Sequence, residues 1–182
     1  MEFRHFDQRR YPTLGVREGY GEWSHTYESV VQDEMDLRLL ERLGTVAWAQ
    51  AAHALDLACG TGRIGVWLRD RGVGRLDGLD LTPEMLARAE GKAVYDRLLR
   101  GDVTGTGLPA AAYDLIVQSL ADEHLPDLGP LYAETARLAR PGGLFVIVGY
   151  HPHFLMIGIP THFNGRDGRP VAVESHVHLL SD

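Results

Sequence analysis

From His53 onward the chain alternates short apolar runs, glycine turns and amphipathic helical stretches, and few folds accept that order. HALDLAC is followed by GRIGVWLRDRG, GRLDGLDL, TPEMLARAEG and AVYDRLLRGD. Repeated strand, turn and helix imply right-handed crossovers and a mostly parallel sheet with helices on both faces, a doubly wound α/β fold. Thr82 and Pro83 suit the N-cap and first position of TPEMLARAEG, since proline lacks only an N–H that would be orphaned there. YDLIVQS then reads as a buried strand, PLYAETARLARPGG as a helix with its stop, and GLFVIVGYHP as a fifth strand.

Before this alternation, residues 1–23 mix Tyr, Trp, Arg and Gly. Ser24 is expected to cap a helix running to about Leu43, with Val30, Val31, Met35, Leu39, Leu40 and Leu43 at near-helical spacing. This front part reads as a helical cover. A chain of 182 residues, 45% of them hydrophobic, suits one globular domain. Its formal charge of -7, from 25 acids against 18 bases, and the lack of any Lys/Arg block argue against a nucleic-acid partner. One cysteine, Cys59, and the lack of an N-terminal apolar leader or an 18-residue apolar run point to the cytoplasm and away from a membrane. At the other end, Ser181 and Asp182 are good first-turn residues with no helix to follow, so a larger fold is expected to continue there.

The turn LDLACGTGR decides the ligand. A dinucleotide fingerprint needs G-x-G-x-x-G, so that a pyrophosphate sits on a helix N-terminus. The positions here are Asp56, Ala58, Gly60 and Gly62, and an acid at the strand end would repel a phosphate but receive an ammonium. Asp80 closes the second strand about 20 residues on, where a carboxylate accepts from ribose hydroxyls. Asp102 closes the third, within reach of an exocyclic adenine amine. Three acids on successive strand ends around a glycine turn outline a nucleoside with a cationic amino-acid tail, and S-adenosylmethionine fits that outline.

LDLACGTG, GLDLTPEML, GDVTGTGLP, YDLIVQSLADEHLPDL and LARPGGLFVIVGYHP, in this order, resemble the class I S-adenosylmethionine-dependent methyltransferases across about residues 50–155. The resemblance implies a Rossmann-like fold and assigns the glycine turn with Asp56, Gly60 and Gly62 to the methionine moiety. It assigns Asp80 to ribose and Asp102 with Val103 to adenine, with Leu81 and Met85 flanking the base; Tyr27, Ala58 and Ser119 complete the expected cofactor site. That family often has glycine where Ala58 stands. The expected organisation is a single methyltransferase-like domain over 1–182: an N-terminal cover at 1–50, a cofactor-binding core at 51–155, and an acceptor-side or edge-covering segment at 156–182. The resemblance also implies two further strands pairing as an antiparallel hairpin at the sheet edge, and the chain ends too early to hold both. Either VAVESHV (171–177) or a second copy in a homodimer is then expected to cover the fifth strand.

Methyl transfer from a sulfonium depends mainly on alignment. Where the nucleophile carries a proton, a base near the fourth strand end is useful, and LADEHLPD offers His124, whose ordinary pKa lies near neutrality. His124 acts as that base or only packs over the cofactor. Asp122 and Glu123 are expected in a solvated loop or helix cap. Tyr20, Trp23 and Tyr27 are expected either to close the methionine end or to pack the cover. His151 and His153 are expected to line the acceptor pocket, and the H-x-H pairs make a weak metal pattern, so no metal is assigned. Cys59 reads as a small hydrophobe. The expected reaction is methyl transfer to a small-molecule acceptor, giving S-adenosylhomocysteine. The alternatives are a non-catalytic domain that binds the nucleoside or dimerises, and an NAD-dependent reductase.

Overall fold

Burial on both faces explains why the central strands place Leu55, Leu57, Leu76, Leu79, Leu115, Ile116 and Val117 in the interior. In the computed structural model, which describes residues 1–32 and 34–179, eight strands form two sheets. In chain order they are β1 (Thr13–Leu14), β2 (His53–Leu57), β3 (Arg75–Asp80), β4 (Arg97–Arg100), β5 (Tyr113–Ser119), β6 (Ala139–Val148), β7 (His162–Asn164) and β8 (Pro170–Val173). The larger sheet has the order β4-β3-β2-β5-β6, every neighbouring pair parallel. The order reverses between β2 and β5, which opens a crevice beyond their carboxyl ends.

The helices are α1 (Val16–Trp23), α2 (Tyr27–Val30), α3 (Met35–Glu41), α4 (Arg63–Asp70), α5 (Pro83–Glu90), α6 (Gly129–Leu138) and α7 (Pro152–Met156). Trp67 and Leu68 of α4 pack with Leu40, Leu76, Leu115 and Val117 on one face of the sheet. Leu131 and Leu138 of α6 pack with Leu55, Leu57, Leu79 and Ile116 on the other. The doubly wound fold expected from the alternation is therefore present, with Pro83 opening α5.

Three expectations need correction. The helix expected from Ser24 to Leu43 is instead two short pieces. Ser24 ends α1, its hydroxyl donating to the Gly21 carbonyl at 2.8 Å, and Val31 leaves helical geometry at φ −92°, ψ 82°. Secondly, two strands do follow the fifth strand of the large sheet and pair antiparallel, but not at its edge. β8 pairs with β7 on one side and runs parallel to β1 on the other, forming a separate three-stranded sheet. Trp23, Phe163 and Val173 make its apolar core, which explains the location: the front cover supplies the buried surface that these strands need. Thirdly, β8 pairs within that sheet and not with β6, which is an edge strand among the described residues. Ser181 and Asp182, expected to open a helix, lie outside the described residues.

Candidate functional site

The turn after β2 is built from alternate left-handed residues: Ala58 at φ +59°, Gly60 at +53° and Gly62 at +89°. Glycine adopts this geometry freely, whereas Ala58 holds it at a cost of about 1 kcal/mol. Asp80, at the end of β3, locks the turn by accepting from the Gly60 N–H at 2.8 Å with one oxygen and from the Thr82 N–H at 2.8 Å with the other. Burial pushes its carboxyl up, and these bonds oppose the shift.

The turn borders a cavity of about 310 Å³ at the carboxyl ends of the parallel strands. Of the expected residues, Tyr27, Ala58, Gly60, Asp80, Leu81 and Met85 line it. So do Asp102, Val103, Ser119 and His124. Asp102 accepts from the Thr104 N–H and hydroxyl through one oxygen, at 2.8 and 2.6 Å.

Asp56 and Gly62 are not brought to that cavity. Asp56 is 1% exposed and receives the Tyr95 hydroxyl at 2.6 Å on the inner side of the turn. Burial, the largest cause, pushes its carboxyl up to about 7. The expected seat for an ammonium at Asp56 is thus taken by a phenol from the loop before β4. A Cβ on Gly62 would meet Ala89 of α5 at 3.3 Å and Tyr95 at 3.1 Å, so this position supports the turn from behind.

The expected acceptor-side residues are also rearranged. His151 and His153 are exposed and do not line the cavity. Asp122 and Glu123, expected to be solvated, are buried with His124 in a short 3₁₀ turn at Asp122–His124. Asp122 accepts from the Tyr150 N–H at 3.1 Å, and burial pushes its carboxyl up to about 6. His124 lies 2.8 Å from the Tyr20 hydroxyl through Nε2 and 2.6 Å from the Glu174 carbonyl through Nδ1. Tyr20 and Tyr27 line the cavity, whereas Trp23 sits behind them, stacked on Phe163 with ring centroids 5.3 Å apart. Cys59 lines the cavity as a buried thiol whose pKa burial raises.

Sequence reasoning missed Arg63. This cavity-lining guanidinium makes a two-pronged bond to Asp36 of α3, 2.7 Å on each prong, and the Ser119 hydroxyl donates to the same carboxylate at 2.8 Å. Arg63 directly follows the glycine turn, but only tertiary folding joins it to a partner 27 residues earlier.

Residues 55–147 match a protein family described as a methyltransferase domain, just over half of the chain. The chain belongs to the class I S-adenosylmethionine-dependent methyltransferase family. Among curated methyltransferases it is similar to the malonyl-[acyl-carrier protein] O-methyltransferase of Serratia marcescens, with 39% identity over 123 residues, 68% of this chain and 47% of that protein. It is also similar to the demethylmenaquinone methyltransferase of Thermus thermophilus, 31% identical over 123 residues, 64% of this chain and 56% of that one. The chain spans about half the length of these curated relatives. A solved S-adenosylmethionine-dependent methyltransferase from Mesorhizobium loti aligns with TM-score 0.55 and 31% identity, covering 66% of this chain and 54% of that one. The DhpI–SAH complex aligns with TM-score 0.69 over 89% of this chain and 78% of its own, at 22% identity, and supports the methyltransferase fold.

Proposed function

We propose that this chain binds S-adenosylmethionine in the cavity beyond β2, β3 and β5 and transfers its methyl group to a small-molecule acceptor. The observation carrying this reading is the pair Asp80 and Asp102, at adjacent strand ends and lining one cavity with the Gly60 turn. The residues fit that cofactor. A Cβ on Gly60 would meet nothing within 4 Å, so the turn offers bare backbone to open space. Asp80 keeps acceptor capacity beyond its two backbone bonds, as ribose hydroxyls require. Arg63, the guanidinium on the wall, is neutralised by Asp36 and leaves no ready seat for a pyrophosphate.

Bound S-adenosylmethionine supplies a methyl group made electrophilic by a positive sulfur. Asp80 orients the sugar, Asp102 and Val103 border the base with Leu81 and Met85, and Tyr20 and Tyr27 add aromatic lining, which favours a cation. His124 stands at the acceptor end. We propose further that the 182 residues work as one methyltransferase-like domain in the cytoplasm. A homodimer is proposed through the edge of β6, where Leu144 is 46% exposed. Sedimentation equilibrium should return twice the chain mass; a monomer at high concentration removes the dimer.

Isothermal titration tests the main reading. Heat is expected with S-adenosylmethionine and S-adenosylhomocysteine and not with NAD; silence with both sulfur ligands overturns it. Binding without methyl release to any of a set of acceptors would favour the non-catalytic alternative. Asp80→Ala should weaken S-adenosylmethionine by about 1–3 kcal/mol, because it removes the hydroxyl acceptor and frees two backbone donors of the turn. Unchanged affinity refutes the ribose role.

A further inference from the structure

The hydrogen bonds of His124 identify its tautomer. The Glu174 carbonyl can only accept, so Nδ1, 2.6 Å away, carries the proton. In the neutral ring Nε2 is then bare, and the Tyr20 hydroxyl 2.8 Å away donates to it. Both nitrogens of His124 are thus occupied, and neither is left to face an acceptor. The Tyr20 oxygen, once its proton is given to His124, still has lone pairs to offer. Tyr20 and His124 both line the cavity.

Resting on the methyltransferase reading above, we propose that Tyr20 is the group that takes the acceptor's proton, relaying its own to His124, and that the acceptor is a hydroxyl of phenol or enol acidity. In this step the acceptor O–H bond breaks toward the Tyr20 oxygen while the Tyr20 proton moves to Nε2 of His124. The acceptor oxygen forms the new O–C bond, and the electron pair of the C–S bond stays with sulfur. Tyr20 ends neutral and His124 ends as imidazolium, which loses its proton to solvent after product leaves.

Two further observations support the relay and the acceptor class. Glu123 is 3% exposed, has one carboxyl oxygen 3.6 Å from Nε2 and has no partner for its other oxygen. A carboxyl group at this distance from Nε2 is placed to stabilise an imidazolium as it forms. The remaining titratable groups acting on Tyr20 are Tyr27 and Asp80. As for the acceptor, the lining guanidinium of Arg63 is committed to Asp36, and the lining carboxylates are Asp80 and Asp102. An anionic acceptor meets no uncommitted cation among the described lining residues. Val16, Leu125, Pro126 and the ring of Tyr27 add apolar lining to the cavity. An imidazole-based relay matches the acidity of phenols and enols, whereas an aliphatic alcohol holds its proton too firmly.

The test pairs an acceptor-independent readout with matched probes. Nitrogen-15 NMR of the histidine side chains, with His124 assigned by its loss in His124→Gln, should show protonated Nδ1 and bare Nε2. Tyr20→Phe should shift that Nε2 resonance. A protonated Nε2 in the neutral ring overturns the relay. Among 4-methylphenol, 4-methylbenzoate and 4-methylaniline, methylation of the phenol is expected. Tyr20→Phe should lower kcat on it by about 10²–10³-fold, while calorimetric affinity for S-adenosylmethionine stays within about threefold. On 4-nitrophenol, ionised near neutral pH, the same substitution should cost far less, which a purely structural role would not produce. A Tyr20→Phe rate within threefold of wild type, preference for the benzoate or aniline, or turnover of none of the three overturns this inference. Failure of the wild-type protein to bind S-adenosylmethionine instead overturns the methyltransferase reading itself.

Discussion

Gly65→Ala is expected to destabilise the protein by about 3 kcal/mol in urea unfolding, although helix propensity alone would make it about 1 kcal/mol more stable. Gly65 lies in α4, and a Cβ built there overlaps the hydroxyl and ring of Tyr95. That ring has little freedom to retreat, because a Cβ position on Gly78 of β3 is already 2.8 Å from it and one on Gly62 is 3.1 Å away. Overpacking of this kind costs about 1–3 kcal/mol. Displacing Tyr95 also takes its hydroxyl from the buried Asp56 carboxyl, a further loss of about 1–3 kcal/mol. The glycine's role is thus to admit Tyr95, and the double-mutant cycle reveals it. In a Tyr95→Ala background, Gly65→Ala should cost almost nothing or regain its helix benefit, giving a coupling of about 2 kcal/mol or more. A single Gly65→Ala variant as stable as wild type would show that Tyr95 does not occupy this seat.

Asp36→Ala is expected to lose about 2–3 kcal/mol, below the usual cost of breaking a fully buried pair because the Arg63 side chain left behind is 27% exposed. Asp36 is 2% exposed and holds both prongs of Arg63 together with the Ser119 hydroxyl. Its removal detaches α3 from the end of β5 and leaves a guanidinium charge on the wall of a cavity proposed to take a sulfonium. The affinity for S-adenosylmethionine should therefore fall together with the stability. Adding Arg63→Met should restore most of the stability, since the orphaned charge rather than the lost contact dominates the cost. Urea unfolding and calorimetry on both variants check this. A loss below about 1 kcal/mol in Asp36→Ala, or no recovery in the double variant, would refute the latch.

Neither of these contacts was legible in the amino acids, whereas the sheet was. The parallel sheet was readable because short stretches rich in Leu, Ile and Val alternate with glycine turns and amphipathic helical segments. The same spacing located Asp80 and Asp102, since the crevice lies beyond the carboxyl ends of the parallel strands. Asp56 obeyed that pattern in sequence and departed from it in space, because Tyr95, nearly forty residues later, folds back beneath the turn. The same limit explains His151 and His153. They follow the fifth strand of the large sheet, but α7 starts at Pro152 and carries them to the surface.

The cover was harder to read because its elements are short and draw their burial from distant partners. β1 and β8 have so few residues that neither specifies a neighbour, and their pairing is backed by Trp23 and Phe163, which stack and pack with Val173 and Leu14. Local order in the chain determined the strand sequence, the glycine turn and the acids closing β3 and β4, since these depend on periodicity and backbone geometry over a few residues. Tertiary packing alone decided which acid reaches the cavity, which charge Arg63 holds and which groups His124 meets. Each of those depends on a partner supplied by a remote segment, and hydrogen-bond geometry between remote segments has no periodicity along the chain.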